Sequence, residues 1–299
     1  MDKEAAVQSL TDTMAKFTSY IGKRLPKDVK AKLADLRTME TNPLAKSIYD
    51  SMAGNQEAAD KLDRPSCQDT GVIQYFISAG SNFPLIGELE EVLRNATLGA
   101  TKMGPLRHNA VETFDEKNTG TNTGTQIPWL DWRIVPGEDS CTIDVYMAGG
   151  GCTLPGAAKV LMPGQGYEGV AEFVMDVITE RGVNACPPLL VGVGVSTSVE
   201  TAARLSKLAI LRPVDSKSSN ANAALMEELL EQGLNEIGIG PQGLTGNNSV
   251  MGVNIESSAR HPSTIGVAVN TGCWAHRRGK IRINPDMSYE IISHEGVVL

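Results

Sequence analysis

The chain has little of what several protein classes require. Lys and Arg number 27 against 35 Asp and Glu, a formal charge of -8, and no block of like charge occurs. A nucleic-acid footprint needs a basic patch, so that class is excluded at the outset. An anionic small ligand would need arginines gathered locally against the overall sign. No apolar run approaches the roughly eighteen residues that a membrane span takes. The start, MDKEAAVQSLTDTMAKF, carries acids early and no apolar core, so it does not read as a signal peptide, and the expected location is the cytoplasm. Repeats, low-complexity tracts and an obvious linker are also missing. The simplest reading is one compact domain over 1–299.

Five cysteines stand at 67, 141, 152, 186 and 273. An odd number at long spacing in a reducing compartment argues against a disulfide framework. No Cys-x-x-Cys pair supports structural zinc. A cysteine nucleophile would need a histidine partner in space, which spacing cannot supply.

What is present reads as α/β. Val7, Leu10, Met14, Phe17 and Ile21 form a helical stripe, and Pro26 and Pro43 divide the first 62 residues into three helices. VIQYFIS, TIDVYMA, LLVGVGVS and TIGVAVN read as strands, and helices are expected near 86–101, 166–181, 198–209 and 220–236. A helical N-terminal segment is thus followed by strands and helices alternating around a buried sheet. The Gly-, Asn- and Thr-rich stretch 104–126 is too long for a plain connection and is expected to be functional or mobile.

Cys67 (SCQDTG), Cys186 (NACPP) and Cys273 (NTGCW) each lie in a Gly- or Pro-marked loop at a strand end, where sites gather in open sheets. Three converging thiolates would suit an iron–sulfur cluster with one exchangeable iron position, a Lewis acid. A free cysteine is also among the most buried residue types, and packing stays open for each. Cys141 reads as structural, and Cys152 as packing or site wall. Asp69 beside Cys67 is a candidate base. His108 and His261 each lie beside an arginine in a loop, and Arg107, Arg260, Arg277 and Arg278 could clamp carboxylates. AGGG, 148–151, is either an anion-binding nest or a tight turn. GIGPQG, 238–243, matches a dinucleotide fingerprint formally, but follows a helical pattern and contains Pro241, so it reads as a helix end entering a loop.

Six segments together carry a resemblance: RPSCQDTG, GPLRHNAVETFD, MAGGGCTLPG, VNACPP, GIGPQGLTGNNSVMGV and ARHPSTIGVAVNTGCWAHRRG. In this order they resemble the catalytic domain of the class I, iron–sulfur-dependent fumarate hydratases over nearly the whole chain. The resemblance implies a [4Fe-4S] cluster on Cys67, Cys186 and Cys273. It implies substrate contacts from Gln68, Asp69, Arg107 and Gly150, and acid–base roles for Asp69 and His261. Fused relatives carry further carboxylate-binding groups on a separate domain. The sequence ends at Leu299 without one, so a beta subunit and a two-alpha, two-beta heterotetramer are expected. Fumarate hydratases of this class have Ser-Glu-Asn after the three glycines. This chain has GGGCTLPG, as in tartrate-dehydrating members, which points to loss of water from tartrate to give oxaloacetate. The alternatives are a two-subunit fumarate hydratase and, in another class, an iron–sulfur electron carrier or redox sensor with Cys141 or Cys152 as fourth ligand.

Overall fold

A computed structural model describes residues 2–299. The elements in chain order are α1 (Lys3–Lys23), α2 (Lys27–Met39), α3 (Pro43–Leu62), β1 (Val72–Gly80), α4 (Leu89–Met103), β2 (Val111–Glu112), β3 (Lys117–Asn118), β4 (Trp129–Val135) and β5 (Cys141–Ala148). Then follow α5 (Gly150–Thr153), β6 (Ala157–Leu161), α6 (Gly166–Arg181), β7 (Leu189–Ser196), α7 (Val199–Leu211), α8 (Ala221–Glu236), β8 (Val250–Ser257), β9 (Ile265–Gly272), β10 (Arg278–Ile283) and β11 (Tyr289–Ile291). The breaks between the three N-terminal helices fall at Pro26 and Pro43, as the sequence indicates. Pro43 stands at the first position of α3, where its missing N–H costs nothing. Asn42 Oδ1 caps that helix, accepting from the amides of Leu44 at 2.9 Å and Ala45 at 3.3 Å.

The mixed α/β class is as expected, with the strands shared out between several sheets. The chain forms two compact units. The first comprises residues up to 27, 55–149 and 277–299. Its five-stranded sheet runs β11-β10-β5-β1-β4, with β1 and β4 parallel and the other pairs antiparallel. One sheet face is apolar: Ile73, Tyr75 and Ile77 of β1 and Ile143, Val145 and Met147 of β5 are buried at every second position. They share a core with Leu10, Met14, Phe17 and Ile21 of α1 and Leu89, Val92, Leu93 and Ala96 of α4. The period of about 3.6 on the helices meets the period of 2 on the strands, which is why this face excludes water.

The second unit comprises 28–54 and 150–276, and its four-stranded sheet runs β6-β9-β7-β8. Every residue of β7 is buried. A Cβ at Gly194 would stand 1.9 Å from the Ala202 carbonyl oxygen, and one at Gly192 2.3 Å from that of Ser206. The two glycines therefore let α7 lie directly on the strand. The core of this unit joins Val191, Val193, Val250, Ile255, Val267 and Val269 to Val170 and Val174 of α6 and Leu230 and Leu234 of α8.

A buried carboxylate ties this unit's layers together. Glu227 of α8, wholly inaccessible, accepts from the amides of Ile255 (2.8 Å) and Ser218 (2.9 Å) and from Arg212 Nη1 (3.0 Å). Arg212 Nη1 also donates to the Ile255 carbonyl, so the end of α7, α8 and β8 meet at one charge pair.

Candidate active site

In the first unit the loop 63–71 connects α3 to β1 and carries Cys67, Gln68 and Asp69. It is pinned at Ser66, whose amide donates to the Gly22 carbonyl (3.3 Å) and whose carbonyl accepts from Asn55 Nδ2 (2.8 Å). Cys67 is half-buried and Gln68 exposed. Asp69 turns back on its own loop, Oδ1 accepting from the Gly71 amide at 2.8 Å, a local carboxylate–backbone turn. Gly71 has φ +76°, and a Cβ there would sit 2.5 Å from the Ala148 carbonyl carbon and 2.6 Å from the Gly149 nitrogen. Only glycine allows the Gln-Asp-Thr-Gly turn to press against the end of β5.

Asp69 Oδ1 takes a second donor, Asn109 Nδ2, at 2.6 Å. Asn109 is held by Asn122, whose Oδ1 accepts its amide and whose Nδ2 donates to Thr101 Oγ1. Asp69 is thereby joined to the Leu-Arg-His-Asn loop, where Arg107 is exposed two residues before Asn109. The 104–126 segment is irregular apart from the β2–β3 ribbon and is stitched by threonine and asparagine side chains. Asn109 stands inside a motif visible in the sequence, yet nothing in the string shows that it orients Asp69.

In the second unit Gly150 opens the single helical turn α5, Leu154 donating its amide to the Gly150 carbonyl at 3.2 Å. A Cβ at Gly151 would lie 3.6 Å from Cys186 Sγ and 3.2 Å from the Asn184 carbonyl, so the glycine keeps the space beside that thiol clear. Cys186 is half-buried and adopts left-handed φ 55°, ψ 66°, which is uncommon away from glycine and concentrates at functional sites. Its conformation is held on both sides. The Trp274 amide donates to the Cys186 carbonyl (3.2 Å), and Gln242 donates to the Pro187 carbonyl from its amide (2.9 Å) and Nε2 (3.5 Å). The first contact joins the Cys186 loop to that of Cys273, also half-buried. The second gives GIGPQG its work. It follows helix α8, not a strand, and fastens the Cys186 loop.

Gly272 makes room for His276, whose Nδ1 would lie 2.2 Å from a Cβ there. His276 Nε2 is 2.8 Å from the Ile210 carbonyl, so this buried histidine anchors the Cys273 loop to α7. Thr271 Oγ1 donates to the Cys152 carbonyl (2.6 Å) and ties β9 to the Gly-Gly-Gly-Cys turn. Lys207 of α7 bears on the same turn: burial draws its ammonium below the usual lysine range, with Cys152 pulling it back up. Nothing in the residue order marks this lysine, which reads as an ordinary polar position in a helix.

His261 is exposed on the loop between β8 and β9. Its amide donates to Thr197 Oγ1 and its Nδ1 accepts from the Ser263 amide, both at 3.1 Å. That bond assigns the neutral ring's proton to Nε2. Arg260 Nη1 donates to the carbonyls of His261, Pro262 and Thr264, so this arginine braces the loop.

The donor chemistry separates the cysteines. Cys141 is fully buried in the first core, and burial alone pushes its thiol up to about 12. Cys152 is 4% exposed, whereas Cys67, Cys186 and Cys273 are half-buried in loops. Among the described residues no three His, Cys, Asp or Glu side chains converge on a single ion. A cubane cluster asks for something else, one thiolate on each ligated iron. Cys67, Cys186 and Cys273 each have the donor chemistry such a cluster takes, half-buried thiols on loops, Cys186 with a glycine-cleared space beside it. In the metal-free chain at pH 8, iodoacetamide is expected to alkylate these three. Cys141 should react about 10³-fold more slowly, the ratio of thiolate fractions between a thiol at about 12 and a free cysteine at about 8.5. Peptide mapping by mass spectrometry reads this, and early labelling of Cys141 would refute the division.

A profile of the fumarate hydratase (Fumerase) family matches residues 11–282. L(+)-tartrate dehydratase subunit alpha of Escherichia coli strain UTI89 is 59% identical over 293 residues, covering 98% of this chain and 97% of that protein. The proteins of the same name from E. coli strain K12 and Shigella sonnei strain Ss046 show the same identity and coverage. A match along almost the full length, by profile and by sequence identity alike, settles the lineage: the chain belongs to the fumarate hydratase (Fumerase) family.

Proposed function

We propose that this chain, a hydro-lyase by its family, is the cluster-bearing alpha subunit of an L(+)-tartrate dehydratase. It removes water from (R,R)-tartrate and releases oxaloacetate. The observation that carries the reading is the 59% identity, over 98% of the chain, to subunits of that name. The GGGCTLPG turn supports it. The whole of 1–299 acts as one catalytic domain in this reading, in the cytoplasm. A beta subunit completes the carboxylate-binding groups in a two-alpha, two-beta heterotetramer. No helix among the described residues is long and apolar enough to cross a membrane.

Cys67, Cys186 and Cys273 would hold a [4Fe-4S] cluster, which when bound supplies a Lewis acid for the substrate's hydroxyl and carboxylate. The chain's own residues do the rest. Gln68 donates to the substrate and Arg107 offers a planar fork to a carboxylate, a match that lysine cannot reproduce. Gly150, bare of a side chain, lets the substrate approach the backbone of its turn. Asp69, oriented by Gly71 and Asn109, takes the proton from the substrate carbon. His261, as the imidazolium with Nδ1 released from the Ser263 amide, protonates the departing hydroxide through Nε2. The carbon–hydrogen and carbon–oxygen bonds break, water leaves, and the enol left behind tautomerises to oxaloacetate.

The test is anaerobic reconstitution of the chain with its partner, followed by assay of oxaloacetate from (R,R)-tartrate and of malate from fumarate. Tartrate turnover should dominate. Asp69→Asn should lower kcat by about 10²–10⁴ with iron content unchanged. Dominant fumarate hydration with an intact cluster would move the assignment to a two-subunit fumarate hydratase, the second reading, favoured by the family match.

A further inference from the structure

The strand β4 ends the five-stranded sheet, paired among the described residues with β1 alone. It is seven residues long, Trp-Leu-Asp-Trp-Arg-Ile-Val, and carries no proline or bulge among its pairings with β1. Proteins usually blunt such an edge, because its open row of N–H and C=O groups recruits another strand. Here the edge is instead rich in exposed apolar side chains: Trp129 is 48%, Trp132 39% and Ile134 51% accessible. Trp129 and Trp132 also line a hollow of about 320 Å³ with Glu90 and Arg94 of α4.

We propose that β4 is a docking edge for a second copy of this chain, joined antiparallel about a two-fold axis at Trp132. The register follows from backbone direction and charge. The Val135 carbonyl accepts from Ser81, so it points toward β1. Strand backbone alternates, so Trp129, Asp131 and Arg133 also turn their amides toward β1, and Leu130, Trp132 and Ile134 turn theirs outward. A two-fold at Trp132 places Trp132 opposite the second copy's Trp132 and Leu130 opposite its Ile134. These are the hydrogen-bonded pairs, giving about six main-chain bonds. Asp131 then falls opposite Arg133 of the second copy, twice by symmetry, in the non-hydrogen-bonded pairs where side chains approach closest. Moving the axis to Asp131 or Arg133 sets like charges opposite each other. A shift by one residue sets Asp131 against Trp132 or Ile134 and turns the paired side chains to opposite faces. Only the Trp132 register matches charge to charge and apolar to apolar.

The inference holds whatever the substrate, and its test reads assembly rather than turnover. Sedimentation velocity of the full chain should show a dimer. Asp131→Arg or Arg133→Asp alone puts like charges across both pairs and should weaken the dimer about ten- to thirty-fold. The double swap D131R/R133D restores opposite charges and should restore the dimer. Trp132→Cys gives a second readout that tolerates a failed charge variant. Its two copies stand about 5.5 Å apart between Cα atoms, within disulfide reach, so mild oxidation should cross-link it. Ile134→Cys, two residues off the axis and thus four residues along the strand from its own copy, should cross-link no more than the parent chain. A monomer at all concentrations, a dimer that neither reversal weakens, or a double swap no better than the singles would overturn the proposal. So would β4 protection that arises only with a different subunit.

Discussion

Serine in place of Cys186 is expected to strip iron from the protein and to lower tartrate dehydration by about 10²-fold or more, the scale of a lost Lewis acid. Serine at Cys67 or Cys273 should do the same, and serine at Cys141 should do neither. The contrast rests on where the thiols lie. Cys186 is half-buried beside Gly151, with its backbone fixed by Trp274 and by the clamp of Gln242 on Pro187. A serine there preserves fold and loop but replaces a soft thiolate with a poor ligand. Cys141 packs among Ile143, Ile281 and other core residues and has no accessible sulfur. The measurement is iron and sulfide per chain for all five single variants, beside anaerobic rates. Sensitivity at Cys152 as well would indicate a fourth protein ligand, and with it an electron carrier or redox sensor in place of a hydro-lyase.

The second large effect is on stability. Glu227→Ala should destabilise the protein by about 3–5 kcal/mol, because a largely buried guanidinium loses its buried partner and keeps only the more exposed Glu256 carboxylate at 3.3 Å. Arg212 side-chain exposure is 17% and that of Glu227 is zero. Two amides, of Ile255 and Ser218, lose their acceptor at the same time. A thermal scan should show the midpoint falling by about 10 °C or more for a chain of this size. Glu227→Gln keeps an acceptor in place and should lose less. Equal loss in both variants would mean that the charge, not the hydrogen-bond geometry, holds the layers. No change in the alanine variant would refute the role given to this group.

Much of the fold is legible along the chain because its signals are local. The α1 stripe, the Pro26 and Pro43 stops, and the apolar runs of β1, β5, β7 and β9 follow from periodicity and backbone chemistry. β8 carries an apolar run, Val-Met-Gly-Val-Asn-Ile, outside the expected strands, whereas β4 and β10 lack that signal. β4 mixes tryptophan with Asp131 and Arg133, and β10, Arg-Gly-Lys-Ile-Arg-Ile, alternates charge with apolar residues around a glycine. Both read as strands only beside β1 and β5, whose pairing supplies their hydrogen bonds. The division of strands between sheets is likewise set by partners distant in sequence.

The candidate site divides the same way. The sequence by itself determined the motifs that place the chain in its family, the three loop cysteines and the rejection of GIGPQG as a nucleotide fingerprint, since residue types and order suffice for these. Only the tertiary structure decided that Asn109 orients Asp69, that Gly71 exists to let its turn meet β5, that Gln242 holds the Cys186 loop, and that Cys141 is sealed in a core. Those facts depend on which atoms lie within about 3 Å after folding, and a linear order of residues carries no such distance.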